Sequence, residues 1–432
     1  MSRRPSRSFV ICLIAFSTVG ATGAWAWSRA NSIPNYERAK LGFLRSVFYQ
    51  EETPEDRSFP TAEDRARNRG ATDALVRQLR DEYPALKTEA HPVPEAENGF
   101  YQMYCFGKDH ETPKSPTQQE LQGLLEGERW GADEARRLLD RNADIVTCIE
   151  ALASMEKRSS TDLPEDYHGF LPARGIFFAA HVLLLKAYVA AESHEEPEAL
   201  RLTQGALNLS AHLRQVEARN LLGESVATRI ELTVNQVVFQ RILPALGRDA
   251  NLPEWKKALA PHDHSPADFA QLMRGEWENT MRYYVLPVFV DHTNRNRPPD
   301  ADRLARILTS HYSAFITRLP ETSLATMHPR LSLAVRDDLK SFSKKSRDIY
   351  DSVLVGSENW GKGYFRAAVI VAQHQAALDL LILEKQGVTL NRESATGVSR
   401  DPLTEKPFDF DPASRTLTAS HDRQTLPLKL PW

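Results

Sequence analysis

The stretch 171–243 constrains the fold of this chain more than any other, because its apolar residues recur at helical spacing almost without interruption. It begins with "ARGIFFAAHVLLLKAYVAAE", which is apolar on every face and predicts a buried helix. "EEPEALRLTQGALNLSAHLR" and "NLLGESVATRIELTVNQVVFQRIL" follow, each with its apolar residues on one side, and the last ends at Pro244. Three consecutive helices joined by short polar turns predict an antiparallel stack.

The rest of the body follows the same pattern, and we predict an all-α fold of stacked helical hairpins. Glycine is scarce, at 20 of 432 residues, and no shift in composition divides the body. One helical domain over residues 31–386 is therefore expected. Further helices are predicted at 34–50, 61–82, 116–127, 132–156, 266–284, 300–318, 331–350 and 361–386.

The first two helices of the stack resemble a tetratricopeptide-type hairpin. Ala187 and Tyr188 come late in the first helix, Ala199 comes early in the second, and "ALNLS" closes it. No second copy follows at the 34-residue spacing of that repeat. The resemblance therefore implies the geometry of one hairpin and no regular array.

The tail, residues 387–432, has a different pattern. "PFDFD" and "RTLTA" alternate apolar with polar residues, and "DPAS" between them predicts a turn. This order predicts a β-hairpin, to which "LPLKL" would add a third extended piece.

The approach to this hairpin resembles the C-terminal end of many uncharacterised exported bacterial proteins. Those proteins pair one N-terminal apolar segment with a helical body and close with a DPxTxxPxxY-like stretch. The stretch stands here as Asp401, Pro402, Thr404, Pro407 and Phe410, with Phe at the usual Tyr position. The resemblance implies an architecture and no activity.

The first 30 residues (1–30) predict entry into a membrane. Arg3, Arg4 and Arg7 form a basic flank before residues 9–27, which carry no charge. As a helix, this run would span about 28 Å, close to the hydrocarbon thickness of a bilayer.

Two outcomes for this segment stay open. Ala24 and Ala26 form an A-x-A site, so a signal peptide cleaved after Ala26 would leave a periplasmic or secreted protein. Trp25 and Trp27 instead suit the interface of a retained helix, with residues 9–27 in the inner membrane and the body outside the cytoplasm.

Charge and cysteine content limit the partners and the covalent chemistry. Without the three signal arginines, the chain has 51 Lys and Arg against 57 Asp and Glu, a formal charge of −6. This sign argues against nucleic acid as a partner. Cys105 and Cys148 could form a disulfide in an oxidising compartment, and two separate thiols are the alternative.

Metal and cofactor motifs are weak. His262 and His264 lie on a Pro-flanked turn, and His292 follows further on. Two histidines supply half of a zinc site, and neither HExxH nor paired CxxC spacing occurs, so we expect a solvated loop without metal. No G-x-S-x-G elbow, phosphate loop or dinucleotide fingerprint is found, and no cofactor is expected.

Several charged residues fall on apolar helix faces. Glu276 lies on the apolar stripe of the helix at 266–284, while Glu224 and Glu231 belong to a polar line on the third helix of the stack. Arg366 lies on the apolar final helix. Because buried charges must be paired, these four residues predict a buried ion network that fixes how the helices pack.

The same region offers candidates for chemistry and for ligand contact. Paired carboxylates with a nearby imidazole perform acid–base catalysis when burial separates their pKa values, although structural networks have the same sequence pattern. The catalytic candidates are Glu276, Glu231 and His374, and the candidates for lining a groove are Trp277, Tyr283 and Tyr284.

The sequence favours a binding or scaffold module of the cell envelope with a protein or peptide partner. An envelope hydrolase that uses Glu276 with His374 or Glu231 is the alternative from another class. A structural protein that associates with itself is a third, and it would show a broad exposed apolar face.

Overall fold

A computed structural model describes most of the chain from residue 62 onward. The described residues are 62–127, 130–161, 167, 171–291, 297–319, 341–344, 346–347, 357–421 and 424–432. The segments expected at 1–30 and 34–50, most of the helix expected at 331–350, and His292 lie outside them.

The described chain is mostly helical, which confirms the predicted fold class. The helices are α1 (Ala62–Glu82), α2 (Gly99–Asp109), α3 (Pro116–Glu126), α4 (Ala132–Arg141), α5 (Ala143–Ala153), α6 (Ala173–Glu192), α7 (Glu196–Arg214), α8 (Leu221–Val237), α9 (Leu252–Ala258), α10 (Pro266–Thr280), α11 (Ala301–Arg318) and α12 (Ser357–Lys385). Short 3₁₀ turns lie at Pro84–Leu86, Glu95–Glu97, Gly247–Asp249 and Arg392–Gly397.

Helices α8 and α10 each widen into a π-turn before a proline. The π-turns are Val238–Ile242 and Met281–Val285, and each continues into one more α-helical segment, Leu243–Leu246 or Leu286–Val290. The second residue of each segment is proline, which cannot donate a backbone hydrogen bond and crowds the carbonyl four residues earlier. The wider turn lets the helix continue past the proline, at a position where the sequence predicted that α8 would stop.

The described residues divide into two compact units. The first unit takes its described residues from Met1–Glu89 and Ser265–Gly363, and the second takes them from Ala90–His264 and Tyr364–Trp432. The C-terminal tail therefore shares a unit with α2–α9, whereas the sequence suggested a boundary near residue 386.

The centre of the second unit is the hairpin of α6 and α7. Only residues 193–195 separate the two helices, and His194 turns the chain with a left-handed φ of 58°. A Cβ placed on Gly205, midway along α7, would lie 3.7 Å from Leu183 Cδ1, midway along α6. This register is the one that an antiparallel hairpin requires, and α8 packs next to α7.

Helix α2 crosses α6 at a close approach of two glycines. A Cβ on Gly175 would stand 2.1 Å from the carbonyl oxygen of Gly107, so only hydrogen fits between the two backbones. The sequence analysis assigned no helix to residues 99–109. The signal was Asn98, whose side chain caps the helix by accepting from the backbone N–H groups of Phe100 and Tyr101.

Helices α4 and α5 divide a segment that was predicted as one helix over 132–156. Asn142 lies between them and donates its side-chain amide to the carbonyl of Leu138. A side chain that hydrogen-bonds to its own backbone competes with the helix ladder, which explains the break.

Helix α12 is mostly buried between Tyr364 and Leu381. Three consecutive polar residues contact three different partners: Gln373 donates to the carbonyls of Leu417 and Leu426, His374 packs against Phe239, and Gln375 donates to the Leu259 carbonyl. α6 and the Gly363–Lys385 part of α12 are apolar enough to cross a membrane by length and composition, but 67% of each apolar window is buried. That burial is typical of core helices in a folded domain.

The tail forms a three-stranded antiparallel sheet in the order β1 (Asp409–Asp411), β2 (Thr416–His421) and β3 (Gln424–Lys429). Both the predicted hairpin and the predicted third extended piece are confirmed. Phe410 and Leu417 are paired and buried against the unit. Asp411 caps the predicted turn by accepting from the backbone of Ala413 and Ser414.

Candidate functional site

The largest group of buried charges in the described chain lies where α7 meets α8. Arg214 is the last residue of α7, Arg219 lies in the connection, and Glu224 and Glu231 are two turns apart on one face of α8. All four are buried, with exposures of 6%, 2%, 3% and 4%. We call these four residues the buried ion network.

Arg214 holds both carboxylates at once. Its Nη1 donates to Glu231 Oε2 at 2.7 Å, and its Nη2 donates to Glu224 Oε1 at 2.9 Å. Nη2 also donates to the Thr228 hydroxyl at 3.0 Å, and that hydroxyl donates to Glu224. Arg219 donates its Nε to the second oxygen of Glu224 at 2.9 Å. Planar guanidinium groups suit such forked contacts, and the two arginines balance the two carboxylates in charge.

The pairing fixes the ionisation of this network. Burial alone would raise the pKa of Glu224, but Arg214 and Arg219 outweigh it and hold that pKa at about 2. Burial would also raise the pKa of Glu231, but Arg214 is the main influence that lowers it. Both carboxylates are therefore charged at neutral pH, and neither holds a proton that it could donate as a general acid.

The segment between α9 and α10 approaches the network at Glu231. The backbone N–H of His262 donates to Glu231 Oε1 at 3.3 Å, and the His264 ring lies buried beside it. His264 Nδ1 is 2.9 Å from the His262 carbonyl oxygen, so this nitrogen carries the proton. We call residues 259–264 the connecting segment.

The structure corrects the partner that the sequence suggested for these acids. Glu224 and Glu231 are ion-paired with Arg214, whereas Arg366 makes no described contact with either. Arg366 is half-buried, and its Nε has no hydrogen-bond partner in the described part of the chain. The closer arginine prevails because it lies at the end of the adjacent helix, where a short connection brings it to the first turn of α8.

Glu276 is not the inward carboxylate of α10. It is half-buried and accepts from the Thr280 hydroxyl at 3.1 Å. The buried acid is Glu278, which forms ion pairs with Arg80 of α1 and with Arg282. The predicted stripe residues Phe269, Leu272 and Met273 are buried, whereas Glu276 is only half-buried.

Of the other predicted site residues, Trp277 and His374 are core side chains. Trp277 is fully buried and donates its indole N–H to Thr309 at 3.2 Å, and Tyr283 is half-buried, with its pKa raised to about 12 mainly by burial. The Tyr284 side chain lies outside the described part. His374 is buried, bonds the Ile370 carbonyl through Nδ1 and has a pKa lowered to about 4 by burial. No described contact joins it to Glu231.

The metal and disulfide candidates form no described site. His262 and His264 have ring centroids 5.3 Å apart, and no group of three or more described His, Cys, Asp or Glu side chains could hold a metal ion. Cys105 is half-buried on α2 and Cys148 is exposed on α5, and no disulfide joins them in the structure.

Two shallow depressions mark the described surface. One, of about 610 Å³, lies along α1 and is lined by Ala74, Arg77, Gln78, Asp81 and Glu82. The other, of about 450 Å³, lies between α3 and α4 and is lined by Glu120, Gly123, Leu124, Gly127, Glu134 and Arg137. Charged side chains line both depressions, and none of the predicted catalytic residues lines either of them.

Comparisons with protein-family models, with curated proteins and with solved structures find no match to this chain. The contacts and charges described above therefore carry the argument for function.

Proposed function

We propose that this chain is a helical binding or scaffold protein of the cell envelope, exported through its N-terminal apolar segment and working outside the cytoplasm. The observation that carries the proposal is that the residues that could act as acids or bases are buried and contact other residues of the same unit. Glu224 and Glu231 are neutralised by arginines inside the second unit, and His374 is buried and packs against Phe239. Groups in such positions stabilise helix packing and have no access to a substrate.

The nature of the described surface supports recognition through polar contacts. Among the large apolar side chains that the structure describes, Val388 alone is exposed, at 43%. A protein that associates through its own helices would show a broad apolar face. The described surface therefore favours a polar partner surface over self-association.

The hairpin of α6 and α7 is the tetratricopeptide-like element of the proposal. In arrays of such hairpins, partners bind a concave helix surface. Here α6 also contacts α2, α4 and α5, which cover much of the hairpin. Helix α3 contacts α6 as well. We therefore assign partner contact to the helices that cover the hairpin, and specifically to the depression between α3 and α4.

Export is tested by fusing residues 1–35 to a reporter that is active only outside the cytoplasm. The proposal predicts an active fusion, and replacing Phe9–Phe16 of the apolar run with alternating Ser and Asp should abolish the activity. An inactive fusion that is stably expressed would contradict export. Intact-mass analysis of the membrane and soluble fractions then shows whether the segment is retained or cleaved after Ala26.

Partner contact is tested by placing a photo-reactive amino acid at Gly123 in whole cells. A Cβ at Gly123 would meet no atom within 4 Å, so the substitution is sterically tolerated. Gly397 is the matched control, because it is equally exposed and equally open. The proposal predicts a discrete cross-linked species at position 123 and none at 397. No cross-link at position 123, or the same species at both positions, would contradict this assignment.

A further inference from the structure

One buried histidine is not explained by the packing or by the proposed function. His264 lies in the connecting segment with 7% of its surface exposed, and its Nδ1 donates to the His262 carbonyl. Its Nε2 is buried and has no hydrogen-bond partner in the described part of the chain. Such a buried ring nitrogen has a lone pair that can bind a proton, and the resulting N–H group would have no hydrogen-bond acceptor.

The surroundings of this nitrogen are already balanced in charge. Arg214 faces it from α7, Glu224 and Glu231 face it from α8, and His262 faces it from its own segment. From α12, the Tyr364 ring packs edge-on at 4.9 Å between ring centroids. Because Arg214 and Arg219 already neutralise both carboxylates, a proton on His264 would give the site a net positive charge.

A buried net charge in a protein is relieved either by losing the proton or by exposing the group to water. Burial lowers the pKa of His264, although Glu231 and Glu224 act against this effect, so the ring is neutral in the closed structure at neutral pH. The His262 N–H bond to Glu231 and the packing of His264 against Tyr364 hold the last residues of the segment near the network, and exposing the ring to water breaks both contacts.

We propose that His264 is an acid-sensitive release for the connecting segment: when a proton binds its Nε2, the segment leaves the Glu231 end of the buried ion network and exposes the imidazolium to water. No bond other than the new N–H forms, and the His262–Glu231 hydrogen bond breaks. The ion pairs of Arg214 with Glu224 and Glu231 remain intact.

The size of the effect follows from proton linkage. If the ring binds a proton only when the segment is open, with its ordinary pKa of 6.5, opening becomes more favourable by about 30-fold between pH 7.5 and pH 5. The sign is fixed because the closed state has the lower pKa, so it loses stability relative to the open state as pH falls below 6.5.

The test is hydrogen exchange of the full chain at pH 7.5 and pH 5, followed by mass spectrometry and corrected for the intrinsic pH dependence of amide exchange. The proposal predicts a loss of protection of up to about 30-fold in peptides that cover residues 259–264, while α6 and α7 stay protected. His264→Asn is the informative variant, because its amide can still donate to the His262 carbonyl but cannot gain a proton. It should abolish the pH response of this segment.

His374→Gln is the matched control, because it removes another buried histidine from the same unit and should leave the response of residues 259–264 unchanged. Three results would overturn the proposal: equal protection of the segment at both pH values, a response that persists in His264→Asn, or a segment as strongly protected at pH 5 as α6 and α7, which would mean that it opens only when the whole unit unfolds. If His264→Asn does not fold, His264→Gln takes its place. If neither variant folds, the hydrogen-exchange data of the wild-type protein decide, since the proposal requires the connecting segment to open at pH 5 while α6 and α7 stay protected.

Discussion

Replacing Arg214 with methionine perturbs the buried ion network most sharply. Methionine fills much of the same volume, so the change removes the charge with little loss of packing. Glu224 keeps a guanidinium partner in Arg219. Glu231 keeps only one described hydrogen bond, the 3.3 Å bond from the His262 N–H. The cost of the variant therefore falls mainly on Glu231.

The magnitude follows from the options left to Glu231. It either remains charged and unpaired inside the protein or takes up a proton, and the second option sets an upper limit to its share of the cost. Protonating a carboxyl with an ordinary pKa of 4.5 costs about 3.4 kcal/mol at pH 7 and about 0.8 kcal/mol at pH 5. With the lost hydrogen bonds to Thr228 and Glu224, Arg214→Met should lower the free energy of unfolding by about 3–5 kcal/mol at pH 7. The loss should be roughly 2 kcal/mol smaller at pH 5.

The assay is urea denaturation followed by far-UV circular dichroism at both pH values. Arg136→Met is the control, because Arg136 forms an exposed pair with Asp133 and should change stability by less than about 0.5 kcal/mol. Arg214→Met combined with Glu231→Gln should recover at least about 1 kcal/mol relative to the sum of the single changes. An Arg214→Met variant as stable as wild type, or one that loses the same stability at pH 5 and pH 7, would show that Arg214 does not neutralise Glu231.

Four further substitutions test the packing of the second unit by thermal denaturation. Gly175→Ala should destabilise the protein by about 3 kcal/mol or more, because its methyl group would meet the Gly107 carbonyl. Gly123→Ala, in an open helical position, should be neutral or stabilising by up to about 1 kcal/mol. Equal effects of the two substitutions would show that the backbones at Gly175 and Gly107 are not in contact. Gln373→Leu should cost about 2 kcal/mol or more, because it removes the amide that donates to the Leu417 and Leu426 carbonyls. An unchanged melting temperature would show that these two hydrogen bonds do not stabilise the unit. The pKa of His374 is about 4 in the folded protein, below its value in the unfolded chain, so the neutral ring contributes stability that is lost as pH falls. His374→Gln should remove up to about 3 kcal/mol of the stability change between pH 6.5 and pH 4. An unaltered dependence of stability on pH would contradict the burial of His374 as a neutral ring.

The sequence predicted the helices best where apolar spacing was long and uninterrupted. α6, α7 and α8 were placed to within a few residues, and the strands of the tail followed from strict alternation around the "DPAS" turn. Helix α2 was missed because its first turns are mostly aromatic and polar, without a clear 3.6-residue period. The continuation of α8 beyond Pro244 was missed because a π-turn has no simple sequence signal.

The candidate site was predicted in part. Glu224 and Glu231 stood out because polar residues on an apolar helix face need buried partners. Their arginines did not stand out, since Arg214 ends a helix that is apolar on one side and Arg219 lies in a connection. Periodicity places a residue on a face of one helix, but it cannot say which side chain of the next helix will reach it. Glu276 and Glu278 are two positions apart on α10, and the apolar stripe there is too short to show which of the two carboxylates is buried.

We propose that the buried ion network serves helix packing while a polar surface of the second unit contacts the partner. The most direct test combines Arg214→Met, Arg219→Met, Glu224→Gln and Glu231→Gln in one chain that also carries the photo-reactive residue at position 123. Neutral replacement of all members of a buried network is often tolerated, unlike removal of one member. The account predicts a folded protein, by circular dichroism, that gives the same cross-linked species in cells. A folded protein that no longer gives this species would contradict the account, since the network would then take part in function.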